Sequence, residues 1–357
     1  MSNTFLTPEI VAKEALMVLT GNLVMADLVH RDYSEEFVSV GDTVSIRKPA
    51  KFVAKNFTGQ TEPQDITEGS VSVKLDRFRD VTVAVTSKQM SLDIADFSRQ
   101  VVEPAMQAIA QAIDQDLLAV ALAEAGMKQN GTADPTDLAD IAALAKHLDL
   151  KKAPSQNRSL VLHPEHKYRY ALTENLSNVA YAGDNETLRD ALLGRVYTLQ
   201  TYMDQNAPGS NAQKPGTATA FCVTGSAGNS YVTVTDLQGD IKLGDGFLLD
   251  GYLYRFTQTG TGRLNIDQPL MSSPNAQAVT PVNLPHSLAF HRNGLALVTR
   301  NLALPMGASN AAYASAGGLG VRVVYDYDSA TKTDKISFDV IYGVKALDPQ
   351  LICALVG

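Results

Sequence analysis

The segment SVSVKLDRFRDVTVAVT, Ser70 to Thr86, alternates apolar and polar residues along its length. Val71, Val73, Leu75, Val81, Val83 and Val85 all fall on odd positions, and Arg77 and Arg79 interrupt the apolar face on the same parity. Successive strand side chains point to opposite faces, so the segment reads as extended β structure with one face to bury. Upstream, GDTVSIRKP alternates Val44 and Ile46, and the polar run AKNFTGQTEPQDITEGS lies between the two. Together they form a β-arm with a loop at its end. A two-stranded ribbon is marginal in water. The arm therefore packs on its own chain or lies on a neighbour.

Helices flank the arm. Ala12, Leu16, Leu19, Leu23 and Ala26 recur at steps of four and three, a helical stripe, and Thr7–Pro8 supplies a cap and first-turn pair. Beyond the arm, Met106, Ile109, Ile113, Leu117 and Val120 mark a helix from Val102 to Ala125, about 35 Å long at 1.5 Å per residue. Pro104 fits its first turn and Gly126 its end. Asp114 and Asp116 are two apart and do not face each other, so both are expected on solvated faces.

From Thr132 to Leu199 the pattern is mixed. PTDLADIAALAKHLDLKKAP reads as a helix, RSLVLHP as a buried strand and EHKYRYALTENL as a second helix, an α/β layer. His163 and His166 in HPEH resemble a fragment of a zinc motif, but Pro164 breaks the HExxH spacing, and the stretch reads as a strand-to-helix turn. After the soft linker MDQNAPGSNAQKPGT, residues 217–283 show only short strand-like pieces between Gly, Asn and Asp turns. That is the pattern of a small β-barrel or sandwich inserted into a host domain.

The run NLPHSLAFHRNGLALVTRNLALP, Asn283 to Pro305, follows the insertion. His286 and His291 are five apart, which puts them on opposite faces of a strand or about 140° apart on a helix, so they do not converge on a metal. Leu288 and Phe290 share one parity and Leu295 and Leu297 the other; the phase slips at Asn293–Gly294, as a bulge or turn would make it. Arg292 and Arg300 are expected to pair with acidic neighbours. A closing hairpin, VRVVYDYD and KISFDVIYGVKAL around SATKTD, puts Ile336, Phe338, Val340 and Tyr342 on one face.

Composition narrows function by exclusion. The 357-residue chain carries a formal charge of −8, which argues against a sequence-independent nucleic-acid binder with a basic face. Cys222 and Cys353 are far apart and are expected as two buried free thiols in a reducing compartment. No segment has the order of a signal peptide, and none approaches the ~20 apolar residues of a membrane span; a soluble protein made in a cytoplasm is expected. There is no nucleophile elbow, phosphate-binding loop, dinucleotide fingerprint or zinc-spaced cysteine pair. No catalytic, cofactor-binding or metal-binding residue is assigned.

The order of these parts, with the phrases EFVSVGDTVSIRKPAKF, EPAMQAIAQAIDQDLLA, SLAFHRNGLALVTRNLALP and ISFDVIYGVKALDPQLICAL, resembles the major capsid proteins of tailed double-stranded-DNA bacteriophages. Podovirus coat proteins that carry an inserted β-barrel are the most similar branch. The resemblance implies an α+β capsid fold. Its parts would be an N-terminal arm (1–33), an extended β-loop (34–90), the spine helix of a peripheral domain (91–130), an axial α/β domain (131–210), an inserted β-barrel (211–283), and a return to axial and peripheral domains (284–357). It implies a non-enzymatic structural protein that forms hexamers and pentamers of an icosahedral shell around DNA. Its partners would be copies of itself, a scaffolding protein, a portal and a decoration protein, and its place the virion, after assembly in the host cytoplasm. One branch of the family crosslinks its subunits through lysine; Lys48, Lys51 and Lys55 lie in the arm, and no crosslink is assigned to them. An encapsulin-like nanocompartment shell, and a soluble enzyme or carbohydrate-binding protein with its site on the β-module, are the alternative readings.

Overall fold

The computed structural model describes residues 8–31, 43–48, 69–86, 98–130, 138–173, 176, 193–209, 216–250, 252–282, 285–305, 310–328 and 333–356. In chain order the helices are α1 (Pro8–Asn22), α2 (Met25–Leu28), α3 (Glu103–Ala123), α4 (Ala139–Leu150) and α5 (Pro164–Ala171). The strands before the insertion are β1 (Thr43–Lys48), β2 (Gly69–Lys74), β3 (Arg77–Thr86), β4 (Met127–Asn130), β5 (Arg158–Leu162), β6 (Arg195–Val196) and β7 (Leu199–Met203). The insertion contributes β8 (Ala220–Thr224), β9 (Tyr231–Gln238), β10 (Gly246–Leu249), β11 (Tyr252–Arg255), β12 (Gly262–Asn265) and β13 (Gln277–Val282). The return path is β14 (His286–His291), β15 (Leu295–Arg300), β16 (Ala311–Ala316), β17 (Leu319–Asp328), β18 (Thr333–Ala346) and β19 (Ile352–Val356).

The chain forms two compact units. The first comprises Met1–Gly21, Arg31–Ile109 and Ala296–Leu347, and the second Asn22–His30, Ala110–Leu295 and Asp348–Gly357.

In the first unit the alternating segment splits where the two arginines fall. Its first half, β2, pairs antiparallel with β1 as a ribbon, with Val44 opposite Val73 and Ile46 opposite Val71. Its second half, β3, runs along the closing hairpin, with Val83 opposite Ile336 and Val81 opposite Phe338. The arm thus packs on its own chain through β3, and the ribbon also has a core: Ile46, Val73 and Leu75 are buried with Ala296, Val298 and Leu347. The side chain of Val85 is outside the described residues, as are Lys51, Lys55 and the side chain of Lys48. Strand β18 is the axis of this sheet. It carries β3, β15 and β17, with β16 beyond β17, and it buries Ile336, Phe338, Val340 and Tyr342, the face that the alternation marks out.

The second unit contains two six-stranded sheets. The first has the order β4-β19-β14-β5-β7-β6. Its β19–β4 and β5–β7 pairs are parallel, while β14 runs antiparallel to both β19 and β5. Ile141, Leu144 and Leu148 of α4 and Tyr170 of α5 pack with Leu160, Leu162, Ala289, Cys353 and Leu355 of that sheet, the α/β layer expected from the sequence. The second sheet is made wholly of the insertion, in the order β11-β10-β13-β8-β9-β12. Its two edge strands meet where Phe256 bridges Ile266, and main-chain bonds from Thr257 to Asn265 and from Asp267 to Arg255 extend the bridge. Phe221, Phe247, Tyr254 and Phe256 fill the inside, with Phe247 4.9 Å from Phe256 and 5.4 Å from Tyr254, ring to ring.

Candidate functional site

The conspicuous polar residues of the sequence converge on two places in the second unit, the neck of the insertion and the start of α2. At the neck, the chain leaves the host sheet after β7 and returns at β14. The amide of His286 donates to the carbonyl of Pro208 at 2.8 Å, so departure and return lie side by side. His163 follows β5 and caps α5: its Nδ1 accepts from the Glu165 amide, with Pro164 in the first turn. The His163 amide donates to Ser287 Oγ at 3.0 Å, and that same hydroxyl lies 2.7 Å from His166 Nδ1. A methyl group at Gly209 would sit 2.7 Å from His163 Nε2. The neck is closely packed, and only a residue without a side chain fits there.

Burial keeps His163 neutral. The desolvation cost of charging the ring, with His166, Arg255 and His286 all near enough to repel a proton, brings it down to about 3. His166 is buried as well, 1% exposed. A fourth imidazole, His291, does not share the site. It ends β14 and caps the short turn Arg292–Gly294, its Nδ1 accepting from the Asn293 amide. That turn is the phase slip between β14 and β15. Arg292 donates its Nε to the Val29 carbonyl at 3.4 Å. Among the described residues no three or more His, Cys, Asp or Glu side chains are grouped as a metal would need.

The start of α2 corrects one expectation. Asp114 and Asp116 are not on solvated faces; each is 1% exposed. Asp114 accepts the amides of Val24 at 2.9 Å and Met25 at 3.1 Å. Helical spacing locates the apolar stripe of α3 but says nothing about amides some ninety residues away that need an acceptor. The same two bonds explain why the N-terminal stripe is not one helix. Val24 and Met25 give their protons to Asp114, and α1 stops at Asn22 before α2 begins. Burial first, and then the neighbouring charge of Asp204, push the Asp114 carboxyl up to about 8. Burial raises Asp204 too; its Oδ1 accepts from the Asn206 amide, while its Oδ2 is buried with no hydrogen-bond partner among the described residues.

Both cysteines are free. Cys353 is buried in β19 with its thiol pushed up to about 12 by desolvation, whereas Cys222 in β8 is only half-buried, so the pair is not the two buried thiols expected. No described helix is long and apolar enough to cross a membrane. His163 and His291 hold turns, and the Asp114 carboxylate holds a chain segment, so each organises local structure.

No protein-family model matches the sequence, and no curated protein does. Solved structures do match. A structure from Mycobacterium phage Che8 is 16% identical, with a TM-score of 0.56 over 93% of this chain and 90% of that one. The capsid of cyanophage P-SCSP1u is 11% identical, with a TM-score of 0.55 over 94% and 88%. The acid-stable capsid of Helicobacter pylori bacteriophage KHP30 is 11% identical, with a TM-score of 0.53 over 93% and 88%. Over that extent the chain has the fold of the phage major capsid proteins.

Proposed function

We propose that the protein is the major capsid protein of a tailed bacteriophage, a structural subunit that assembles through hexamers and pentamers into an icosahedral shell around double-stranded DNA. The observation that carries the reading is the extent of the likeness: it runs over more than nine-tenths of the chain and about nine-tenths of the phage structures matched. The physical chemistry agrees with it. Two-stranded ribbons such as β1–β2 gain stability from a further surface to lie on, and repeated head-to-tail contacts close into rings. A formal charge of −8 suits a container for DNA, because a basic lining would bind the genome and hinder packaging and ejection.

Within this reading, residues 1–33 are the N-terminal arm, 34–90 the extended loop, 91–130 the spine helix, 131–210 the axial domain, 211–283 an inserted β-barrel, and 284–357 the return. A scaffolding protein and a portal are its assembly partners, with a decoration protein as a further one. Assembly takes place in the host cytoplasm, and the residence of the finished protein is the virion. The subunit performs no catalysis.

Negative-stain electron microscopy of the protein, expressed alone and with its neighbouring genes, is the test. Closed shells, tubes or sheets of hexamers are expected. A monomer in both preparations would remove the reading and return attention to the β-module as a ligand-binding domain.

A further inference from the structure

A cleft of about 500 Å3 opens in the second unit where the turn before β5 meets the β6–β7 hairpin and the end of α2. Its lining includes Arg158, Arg195 and Arg292 against a single carboxylate, Asp27, a surplus of two positive charges (3 − 1) in a chain whose total is −8. Asp149, just outside the lining, pairs with Arg158 at 2.7 Å and reduces the surplus to one.

The three arginines differ in what holds them. Arg158 is 3% exposed and fixed: it donates to the carbonyls of Pro154 and Ala153 and to Thr198 Oγ1, at 2.8, 2.7 and 3.1 Å. It is a rigid floor. Arg195 is exposed on the rim, and its two bonds, to the carbonyls of Thr198 and Ser155, are both 3.4 Å long. An ionised acceptor would make shorter and stronger bonds with that guanidinium than two distant carbonyls do.

The backbone around the cleft is held in an unusual form. Asn157, which lines it, has φ 55°, and the hairpin turn has Tyr197 at φ 44° and Thr198 at φ 73°. A β-branched residue in the left-handed region is disfavoured, and such residues concentrate at ligand clamps. The two-residue turn of the β6–β7 hairpin itself requires positive φ at Tyr197 and Thr198, so it is the positive lining that points to a bound anion.

We infer that this cleft is a carboxylate-binding site, filled on assembly by an acidic side chain from a second copy of this chain, with Arg195 as the group that turns onto it. The inference rests on the shell reading for its partner. Carboxylate is the anion taken here because each copy carries 38 acidic residues against 30 basic ones, so neighbouring copies offer acids in excess to a local positive surplus, and nucleic-acid phosphate is the outcome the test separates from it.

The test is the reactivity of Arg195 toward phenylglyoxal, read by mass spectrometry in free subunits, empty particles and DNA-filled particles. Arg195 is expected to react in free subunits and to be protected at least about tenfold in empty particles, as a desolvated ion pair requires. The variant R195E is expected to give at least about tenfold fewer particles, while its circular dichroism and thermal midpoint stay those of the parent. Equal reactivity in subunits and particles, or normal assembly of R195E, overturns the inference. Protection confined to DNA-filled particles overturns it in favour of phosphate. If the parent forms no particle, the shell reading fails separately, and labelling of the subunit with and without succinate decides the cleft. Protection by succinate then keeps the carboxylate site and removes only its source; no protection removes the site.

Discussion

Gly343, near the C-terminal end of β18, passes so close to the end of the ribbon that a β-carbon placed on it would collide with the carbonyl group of Lys74. The obstacle is backbone on both sides, so no rotamer change relieves it. Gly343→Ala is therefore expected to push the ribbon off its seat on Ala296, Val298 and Leu347, and to lower stability by about 2 kcal/mol. Hydrogen–deuterium exchange should show the loss confined to residues 43–48 and 69–74. A thermal midpoint and exchange pattern like those of the parent would show that the ribbon is not clamped there.

The buried pair Asp114 and Asp204 sets one pH dependence. Between about 3.8 and 8 the folded chain keeps on Asp114 a proton that the unfolded chain has released, so this group lowers stability as pH rises through that window. Asp204→Asn removes the nearby charge and leaves Oδ1 to accept from Asn206. Urea denaturation at pH 8 should find the variant more stable by about 1–2 kcal/mol, with a flatter pH profile.

His163 sets an opposite one. Above pH 6.5 the ring is neutral in both states, but below it the unfolded chain takes up a proton that the folded chain refuses until about pH 3. Its contribution is thus lost as pH falls, by at most about 5 kcal/mol. His163→Asn keeps a side-chain acceptor for the α5 cap and is expected to remove this acid sensitivity with little change at pH 7. Denaturation series from pH 4 to 7 on the two proteins will show the slopes diverge or coincide.

Arg322 and Asp339 sit opposite each other in the β17–β18 register, joined from Nε to Oδ2 at 2.9 Å. Asp339 is 4% exposed. Arg322→Ala leaves that carboxylate with Ser337 as its remaining partner among the bonds described, and is expected to cost about 3 kcal/mol. Arg322→Lys should recover only part of the loss, because it cannot also reach the Ala303 carbonyl that Nη1 bonds at 2.7 Å. Differential scanning calorimetry on the three proteins orders them.

What could be read from the sequence was local. The parity of Val71 to Val83, the buried face of β18, the stripe of α3 and the break at Asn293–Gly294 each depend on neighbours within one element, and the structure has all four. Partners distant in sequence were not legible. Alternation tells that β3 needs a companion and not that it lies 250 residues on. Strand β4, Met127–Asn130, carries the polar pattern MKQN and has no signal of its own; it is a strand because β19 lies beside it. Asp114 was misjudged for the same reason, since the amides that hold it belong to another part of the chain. HPEH was legible as a turn, because proline after an N-cap is a local rule, but its proximity to His286 and Arg255 was not.

The neck of the insertion has a consequence for what can be built on this subunit. Pro208 and His286, the two points where host and module join, are one hydrogen bond apart, and the module buries its own aromatic centre. Chain entropy places little penalty on exchanging such a cassette, because the host ends it must rejoin are already adjacent. A foreign domain with neighbouring termini, spliced between them, should leave the β5–β14 pairing in register. On the shell reading proposed above, the chain then becomes a display scaffold, in which one genetic graft is repeated with every copy.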